Sequence, residues 1–291
     1  MVTAISVILF NPTESSIKNI LSISSLFNYL ILIDNSAKPT DLHVFDRQKN
    51  VIRIINGHNL GFAKALNQAL AFSEKNGIDY LFTSDQDSIF KKETIEKALL
   101  LIDEYPENQK TSIGIFALNT EAYNQNKKAI EFVNYVITSG NFLNIKSIKR
   151  KAVSFNDSLF VDYVDFDFDY KLIKGGLKIA LLSNLSFNQT IGSPLHKKIL
   201  FFEISSMNHG AIRDFYRYRN ETYLYRLDKR FFKRLHLGEA KEFLKMLLIE
   251  KNKRQKWRAY WLGVKAGKRG ILGPVTKDQY NWIIGGKNEI N

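Results

Sequence analysis

Tyr80-Leu81-Phe82-Thr83-Ser84-Asp85-Gln86-Asp87-Ser88 is the stretch that decides how the chain is read. Its apolar opening reads as a buried β-strand, and two carboxylates follow at once. If the backbone stays extended, successive side chains alternate faces, so Asp85 and Asp87 point one way and Gln86 the other. Paired carboxylates at the carboxyl end of a strand stand where open α/β sheets bind ligands. They suit a hard divalent cation that carries substrate phosphates.

Working outward, strand and helix alternate. Residues 4–10 read as a first strand, and Asn11-Pro12-Thr13 opens a helix with Ile17, Ile20, Leu21 and Phe27 at roughly helical spacing. Leu30–Ile33 and Val51–Ile55 read as strands, the first ending at the turn cluster Asp34-Asn35-Ser36. The loop Asn56–Gly61 leads into a helix carrying Phe62, Ala65, Leu66, Ala69 and Leu70 on one face, and Asn59 is expected to be its N-cap. Lys91–Tyr105 gives a further helix ahead of Pro106, while Ile113–Leu118 and Tyr135–Leu143 read as strands around a polar loop at 121–128. This order predicts a mostly parallel sheet with helices on both faces and a nucleotide-binding layout.

Composition sets the frame. The 291 residues are 45% hydrophobic and contain no cysteine, so a substantial core is expected and disulfide or thiolate-metal chemistry is excluded. No apolar run approaches the roughly 18 residues of a membrane span, and residues 4–10 lack the features of a signal peptide. A cytoplasmic protein, peripheral on the inner face of the membrane, is the expectation. The net charge of +13 is concentrated. Residues 210–291 hold 20 Lys/Arg against 8 Asp/Glu, whereas residues 1–209 hold 22 against 21. Two regions are therefore expected, a catalytic α/β domain at 1–208 and a basic, aromatic-rich helical region at 209–291.

The order of motifs resembles bacterial glycosyltransferase family 2, and within it the rhamnosyltransferase-like group. The resemblance covers about residues 4–220. It rests on Asp34-Asn35-Ser36, Asn59-Leu60-Gly61-Phe62-Ala63 with Asn67, Asp85-Gln86-Asp87-Ser88, Ser139-Gly140, Leu159–Lys171, and His209 followed by Arg213, Tyr216, Arg219 and Asn220. It implies a GT-A fold with C-terminal helices. By resemblance, Asp85 and Asp87 hold Mg2+ or Mn2+ against the diphosphate of a nucleotide-sugar, with Asp85 and Gln86 also facing the nucleotide. Asp34 resembles the acid that accepts from the imide N–H of uracil or thymine. Asn59, Gly61, Lys64 and Asn67 are further nucleotide-sugar contacts, and Arg213, Tyr216 and Arg219 would meet acceptor or diphosphate through charge-assisted bonds.

An inverting transfer needs a base for the acceptor hydroxyl. The acidic stretch Asp162-Tyr163-Val164-Asp165-Phe166-Asp167-Phe168-Asp169 supplies it, and by resemblance Asp165 takes that position with Asp162 and Asp167 as alternatives. Val164 departs from the Glu that many relatives carry. On a helix Asp162, Asp165 and Asp169 would share a face, and on a strand Asp165, Asp167 and Asp169 would. A second departure is Gln189, near where many relatives place a histidine that could ligate the metal. Gln reads as a poor substitute, which leaves fewer protein ligands or a contribution from His209.

The implied function is transfer of a sugar, rhamnose first, from a dTDP- or UDP-sugar to a glycan or lipid-linked acceptor in surface polysaccharide synthesis. The C-terminal mixture of cations and aromatics suits an anionic membrane surface, with packing or oligomer contacts as the alternative and nucleic acid the least favoured. Two rival readings are a sugar nucleotidyltransferase and a non-catalytic membrane- or nucleic-acid-binding protein. The glycine- and lysine-rich first loop of a nucleotidyltransferase is missing from the sequence.

Overall fold

The structure, a computed structural model, describes residues 1–120, 129–189, 195–199 and 202–285. The chain divides into two compact units, Met1–Asn156 with Asp165–Thr190, and Asp157–Val164 with Ile191–Asn291. The second unit thus takes in a hairpin and a short excursion that lie ahead of residue 209. The polar loop read at 121–128 falls outside the described residues.

The first unit runs β1 (Thr3–Leu9), α1 (Glu14–Ser24), β2 (Tyr29–Asp34), β3 (Val51–Ile55), α2 (Phe62–Lys75), β4 (Tyr80–Asp85), β5 (Ser88–Ile89), α3 (Lys92–Glu104), α4 (Glu107–Lys110), β6 (Ile113–Thr120), β7 (Ile130–Val133), β8 (Asn141–Asn144), α5 (Ile145–Arg150), α6 (Val164–Lys174) and β9 (Lys178–Gln189). Its sheet has the order β3-β2-β1-β4-β8-β6-β9-β5, with β7 also paired to β9. Strands β3, β2, β1 and β4 are parallel neighbours, and β6 is parallel to β9. Strand β8 enters antiparallel between β4 and β6. This is a GT-A architecture with a mostly parallel central sheet, as the motif order predicts.

Strands covered on both faces need apolar residues at every position. In β1 all seven residues are buried, and so are the first five of β4. Phe82 is the hub of the core. It stacks on Phe27 at 5.4 Å and meets Phe90 and Phe142 at 5.1 and 4.6 Å, and Phe90 stacks on Phe187 at 4.6 Å. A fully buried Phe is worth about 1.5–3 kcal/mol of apolar transfer before packing is counted, so this cluster anchors the strand that ends in Asp85.

Four local expectations change. The extended backbone stops at Asp85, Gln86 and Asp87 form a turn, and Ser88 begins β5, so the alternation argument does not carry through to Asp87. Tyr135–Leu143 is a strand only from Asn141 onward, because Thr138 to Gly140 turn and Gly140 takes φ +84. Helix α2 is capped by Gly61 at φ 89 without a side-chain bond, not by Asn59. Asn59 instead accepts from the Gly61 amide at 2.9 Å, a tight local turn. Finally, α6 starts at Val164, so Asp165, Asp167 and Asp169 are helical while Asp162 precedes the helix with φ 57.

The second unit contains the hairpin β10 (Leu195–Ile199) and β11 (Phe202–Ser206), followed by α7 (Ala211–Leu227), α8 (Lys229–Ile249), α9 (Lys253–Arg269) and α10 (Lys277–Ile284). Helices α7 and α9 pack through glycine. A Cβ on Gly263 would lie 2.7 Å from the Phe215 carbonyl oxygen, and one on Gly267 would collide with that of Arg219. Among the described residues no helix is long and apolar enough to cross a membrane.

Candidate active site

The register puts the loops after the parallel strands at one edge. Leu9 of β1 lies opposite Asp34 of β2, Ile8 lies opposite Asp85 of β4, and Asp34 lies opposite Ile55 of β3. Asp34 and Asp85 therefore flank β1, two strand spacings or about 10 Å apart. That is roughly the reach of a nucleoside diphosphate between base and terminal phosphate. Asp85 is half-buried and Asp87 exposed.

The turn that carries the two aspartates is held from both sides. The Gln86 amide accepts from Phe10 N at 2.9 Å and donates to Phe10 O at 3.2 Å, which ties the turn to the end of β1. The Ser139 hydroxyl accepts from the Asp85 amide at 3.1 Å and shares a 2.7 Å bond with the Ser88 hydroxyl. Gly140 is required next to it, since a Cβ there would sit 2.6 Å from the Phe187 ring at a left-handed φ. Gln86 and Ser139-Gly140 thus fix where the carboxylates point.

Asp34 is 1% exposed, and its two oxygens accept from Ser36 N at 2.9 Å and Thr40 N at 2.6 Å. Burial pushes its pKa up, but the Thr40 and Ser36 donors outweigh burial and hold it below the ordinary value. Its neighbour Asn35 donates to Gly61 O at 3.2 Å and accepts from Asn56 at 2.8 Å. The loop after β2 is thereby joined to the start of α2, whose first-turn amides, with exposed Lys64, form an anion-favouring helix terminus. Asn67 serves elsewhere. It donates to Phe155 O at 2.9 Å and accepts from Phe155 N at 3.0 Å.

Gln189 meets Asp85 at the edge of the sheet. Ser88 pairs with it across β5 and β9, and its Nε2 donates to Asp85 Oδ2 at 2.8 Å. A carboxylate only accepts, so the amide orientation is set and Oε1 faces away from Asp85. That Oε1 is buried with no hydrogen-bond partner among the described residues. Asp85 and Asp87 offer carboxylate oxygens only, and Gln189 Nε2 orients one of them. Such a set fits Mg2+ or Mn2+, which keep waters and substrate phosphates as their remaining ligands. Among the described residues no three His, Cys, Asp or Glu side chains gather as a metal site. His209 stands among cations. Burial first, then Arg213, Arg217 and Lys256, push its pKa down to about 3.

Helix α6 presents the acids in three different settings. Asp169 is buried and accepts from Val136 N at 2.8 Å, three residues before the Ser139 that braces Asp85. Burial holds its pKa well above the ordinary range. Asp167 is buried against Lys171 at 2.7 Å, and burial raises its pKa against the pull of that lysine. Asp165 is half-buried in the first turn, its Oδ1 accepting from Phe166 N at 3.0 Å. Phe168 stacks on Phe155 at 3.9 Å, so the Asn67 clamp on Phe155 also seats this helix.

In the second unit, the turn before α6 is strained and firmly held. Phe160, Asp162 and Tyr163 adopt φ values of 67, 57 and 62. Asn220 is fully buried, and its amide donates to the carbonyls of Leu159 at 2.9 Å and of Val161 and Asp162 at 2.8 Å. Arg219, 1% exposed, donates to Leu159 O at 2.9 Å and to Gly273 O. Tyr216 is buried, stacks on Phe160 at 5.2 Å and accepts from Val275 N at 2.7 Å. Arg213 alone of the three expected contacts has an exposed side chain, and it pairs with Asp162 at 3.0 Å.

Comparison with known proteins agrees with this geometry. The family described as Glycosyl transferase family 2 matches residues 11–160, more than half of the chain. The dTDP-rhamnosyl transferase RfbF of Shigella flexneri is 22% identical, over 92% of this chain and 95% of that protein. S. aureus TarS 1-349, solved in complex with UDP, superposes with a TM-score of 0.58 at 13% identity, over 98% of this chain and 88% of that one. The chain spans 37% of a longer TarS chain. GalNAc-T7 with UDP, GalNAc and Mn2+ superposes with a TM-score of 0.51 at 10% identity, over 65% of this chain and 44% of that one.

Proposed function

Because the chain belongs to glycosyltransferase family 2, we propose that it moves a sugar, with inversion, from a nucleotide-diphospho-sugar to a hydroxyl of a glycan or lipid-linked acceptor. Rhamnose carried on dTDP is the first donor in this reading, by similarity to RfbF, and a UDP-sugar the second. Surface polysaccharide synthesis is the setting it fits. The observation that carries the proposal is the strand-end pair Asp85 and Asp87, with Asp85 held by Gln189 Nε2, two strands from the Asp34 loop.

Asp85 and Asp87 would hold Mg2+ or Mn2+, in line with the Mn2+ bound by GalNAc-T7. When bound, the cation supplies positive charge where negative charge builds on the diphosphate. The Asp34 loop receives the base, and the N-terminus of α2 with Lys64 faces the phosphates. Asp165 takes the proton of the acceptor hydroxyl as its oxygen attacks the anomeric carbon from the face opposite the diphosphate. The carbon–oxygen bond to the diphosphate breaks, and its electron pair leaves with the diphosphate. Asp165 stands where the family resemblance puts the base, while Asp167 is buried against Lys171 and Asp162 pairs with Arg213. Arg213 is the residue proposed to meet the acceptor or diphosphate. Tyr216 and Arg219 support the turn.

The test is product analysis with a panel of dTDP-, UDP- and GDP-sugars, Mg2+ or Mn2+, and a lipid-like acceptor. Release of free nucleoside diphosphate together with a glycosylated acceptor is expected. Release of pyrophosphate would mean nucleotidyl transfer, and failure of every donor to bind would mean a non-catalytic chain.

A further inference from the structure

The chain has three tryptophans, and all lie on the surface of the second unit, Trp257 at 44%, Trp261 at 51% and Trp282 at 49% exposure. Tryptophan is on average a highly buried residue, so three exposed ones in one region call for an explanation. Helix α9 presents Arg254, Trp257, Trp261, Lys265 and Lys268, spaced three or four apart on one face and all exposed. Helix α8 presents Leu237, Leu244 and Leu248, each more than half exposed, at spacings of seven and four. Arg230, Lys233, Arg234, Lys241 and Lys245 share or border that stripe. Between the two helices Phe243 of α8 stacks on Tyr260 at 4.1 Å and lies 5.8 Å from Trp257.

The charge on this surface has one sign. Residues 229–269 hold 14 Lys/Arg and 3 Asp/Glu. None of the three acids is available to a partner. Glu239 is bound to Arg217, Glu242 to Lys245, and Glu250 is buried against Lys256. A second copy docked symmetrically would set cations against cations. Nucleic acid would match the charge but leaves the leucines with nothing apolar to cover them.

We propose that this face of α8 and α9 lies on an anionic lipid bilayer. The leucines and tryptophans enter the headgroup–acyl boundary while the lysines and arginines extend to anionic headgroups. This proposal stands apart from the glycosyl-transfer reading, because vesicle binding and donor turnover are measured independently.

The experiment floats the full chain with vesicles of phosphatidylcholine alone or with 30% phosphatidylglycerol in about 0.1 M salt. Tryptophan emission reports the same surface, since Trp257 and Trp261, two of the three tryptophans, lie on it. Expected are flotation with the anionic vesicles only, a blue shift, and quenching by brominated lipid. Leu244→Glu with Leu248→Glu, at positions already exposed, should weaken binding at least tenfold while leaving the melting temperature and turnover on a water-soluble acceptor unchanged. Lys241→Glu with Lys245→Glu should do the same through charge. Equal binding to neutral and anionic vesicles, or no flotation, overturns the proposal. So does a dimer abolished by the leucine changes, or oligonucleotide binding tighter than vesicle binding.

Discussion

Asn220→Ala gives a measurable test of how the turn before α6 is held. Three non-glycine residues there, Phe160, Asp162 and Tyr163, sit in the left-handed region, at about 1–2 kcal/mol each. What keeps them there is chiefly the buried Asn220 amide, which donates to the carbonyls of Leu159, Val161 and Asp162. Its two protons make at most two full bonds at once, so truncation strands the partly buried carbonyls of Val161 and Asp162 at about 1–3 kcal/mol each. Arg219 still serves Leu159. The expected loss is therefore about 2–6 kcal/mol, or roughly 4–24 °C in the melting temperature at about 2–4 °C per kcal/mol. Asn220→Asp should be worse near neutral pH, since a carboxylate would face three carbonyl oxygens, and should recover in part in acid. The chain runs from this turn into Asp165, so any folded Asn220→Ala protein should lose turnover more than donor affinity. A melting shift under 2 °C, or an aspartate variant as stable as wild type, would refute the reasoning.

Replacing Gln189 by Leu removes the amide that holds Asp85 and should weaken Mn2+-dependent nucleotide binding about tenfold without changing the far-ultraviolet circular dichroism, whereas Gln189→His, which keeps an N–H donor, should retain it. Binding unchanged in Gln189→Leu counts against a role for Gln189 in positioning Asp85. Gly267→Ala should destabilise by at least about 2–3 kcal/mol, because the new methyl group meets the Arg219 backbone carbonyl, which cannot rotate away; denaturation of the variant measures it. Burial raises the folded-state pKa of Asp169 well above its unfolded value near 4. Above about pH 4 the folded state then retains a proton that the unfolded state gives up, so this group lowers stability as pH rises. Asp169→Asn keeps an acceptor for Val136 N, and its advantage over wild type should grow from pH 4 to pH 8. A flat difference across that range would contradict the assignment.

The sheet was legible because its strands are buried on both faces and so read as uninterrupted apolar runs, β1 and β4 above all. Local rules failed where one residue changes the backbone. A two-residue turn at Gln86 and Asp87 ends the alternation that the apolar run suggests, and Gly61, free to take φ 89, replaces Asn59 as the cap. In the acidic stretch neither period could be read from residue 162, since the left-handed turn is imposed by Asn220, about 60 positions along the chain. Gln189 looked like a poor histidine in sequence. Only the pairing of β5 with β9 brings it to Asp85, and a non-local register of that kind leaves no mark in a short window. The expected contacts Tyr216 and Arg219 are absorbed by the interior, because buried donors and rings carry the same residue types as a binding site.

The central claim is that a cation held at the end of β4 clamps the diphosphate of a nucleotide-sugar. Calorimetric titration of the chain and of Asp87→Asn with dTDP and UDP, with Mn2+ and then in excess chelator, tests it most directly. The account predicts nucleotide binding that requires the cation and falls at least tenfold in Asp87→Asn. Equal affinity in chelator, or an Asp87→Asn protein that binds as wild type does, would contradict it.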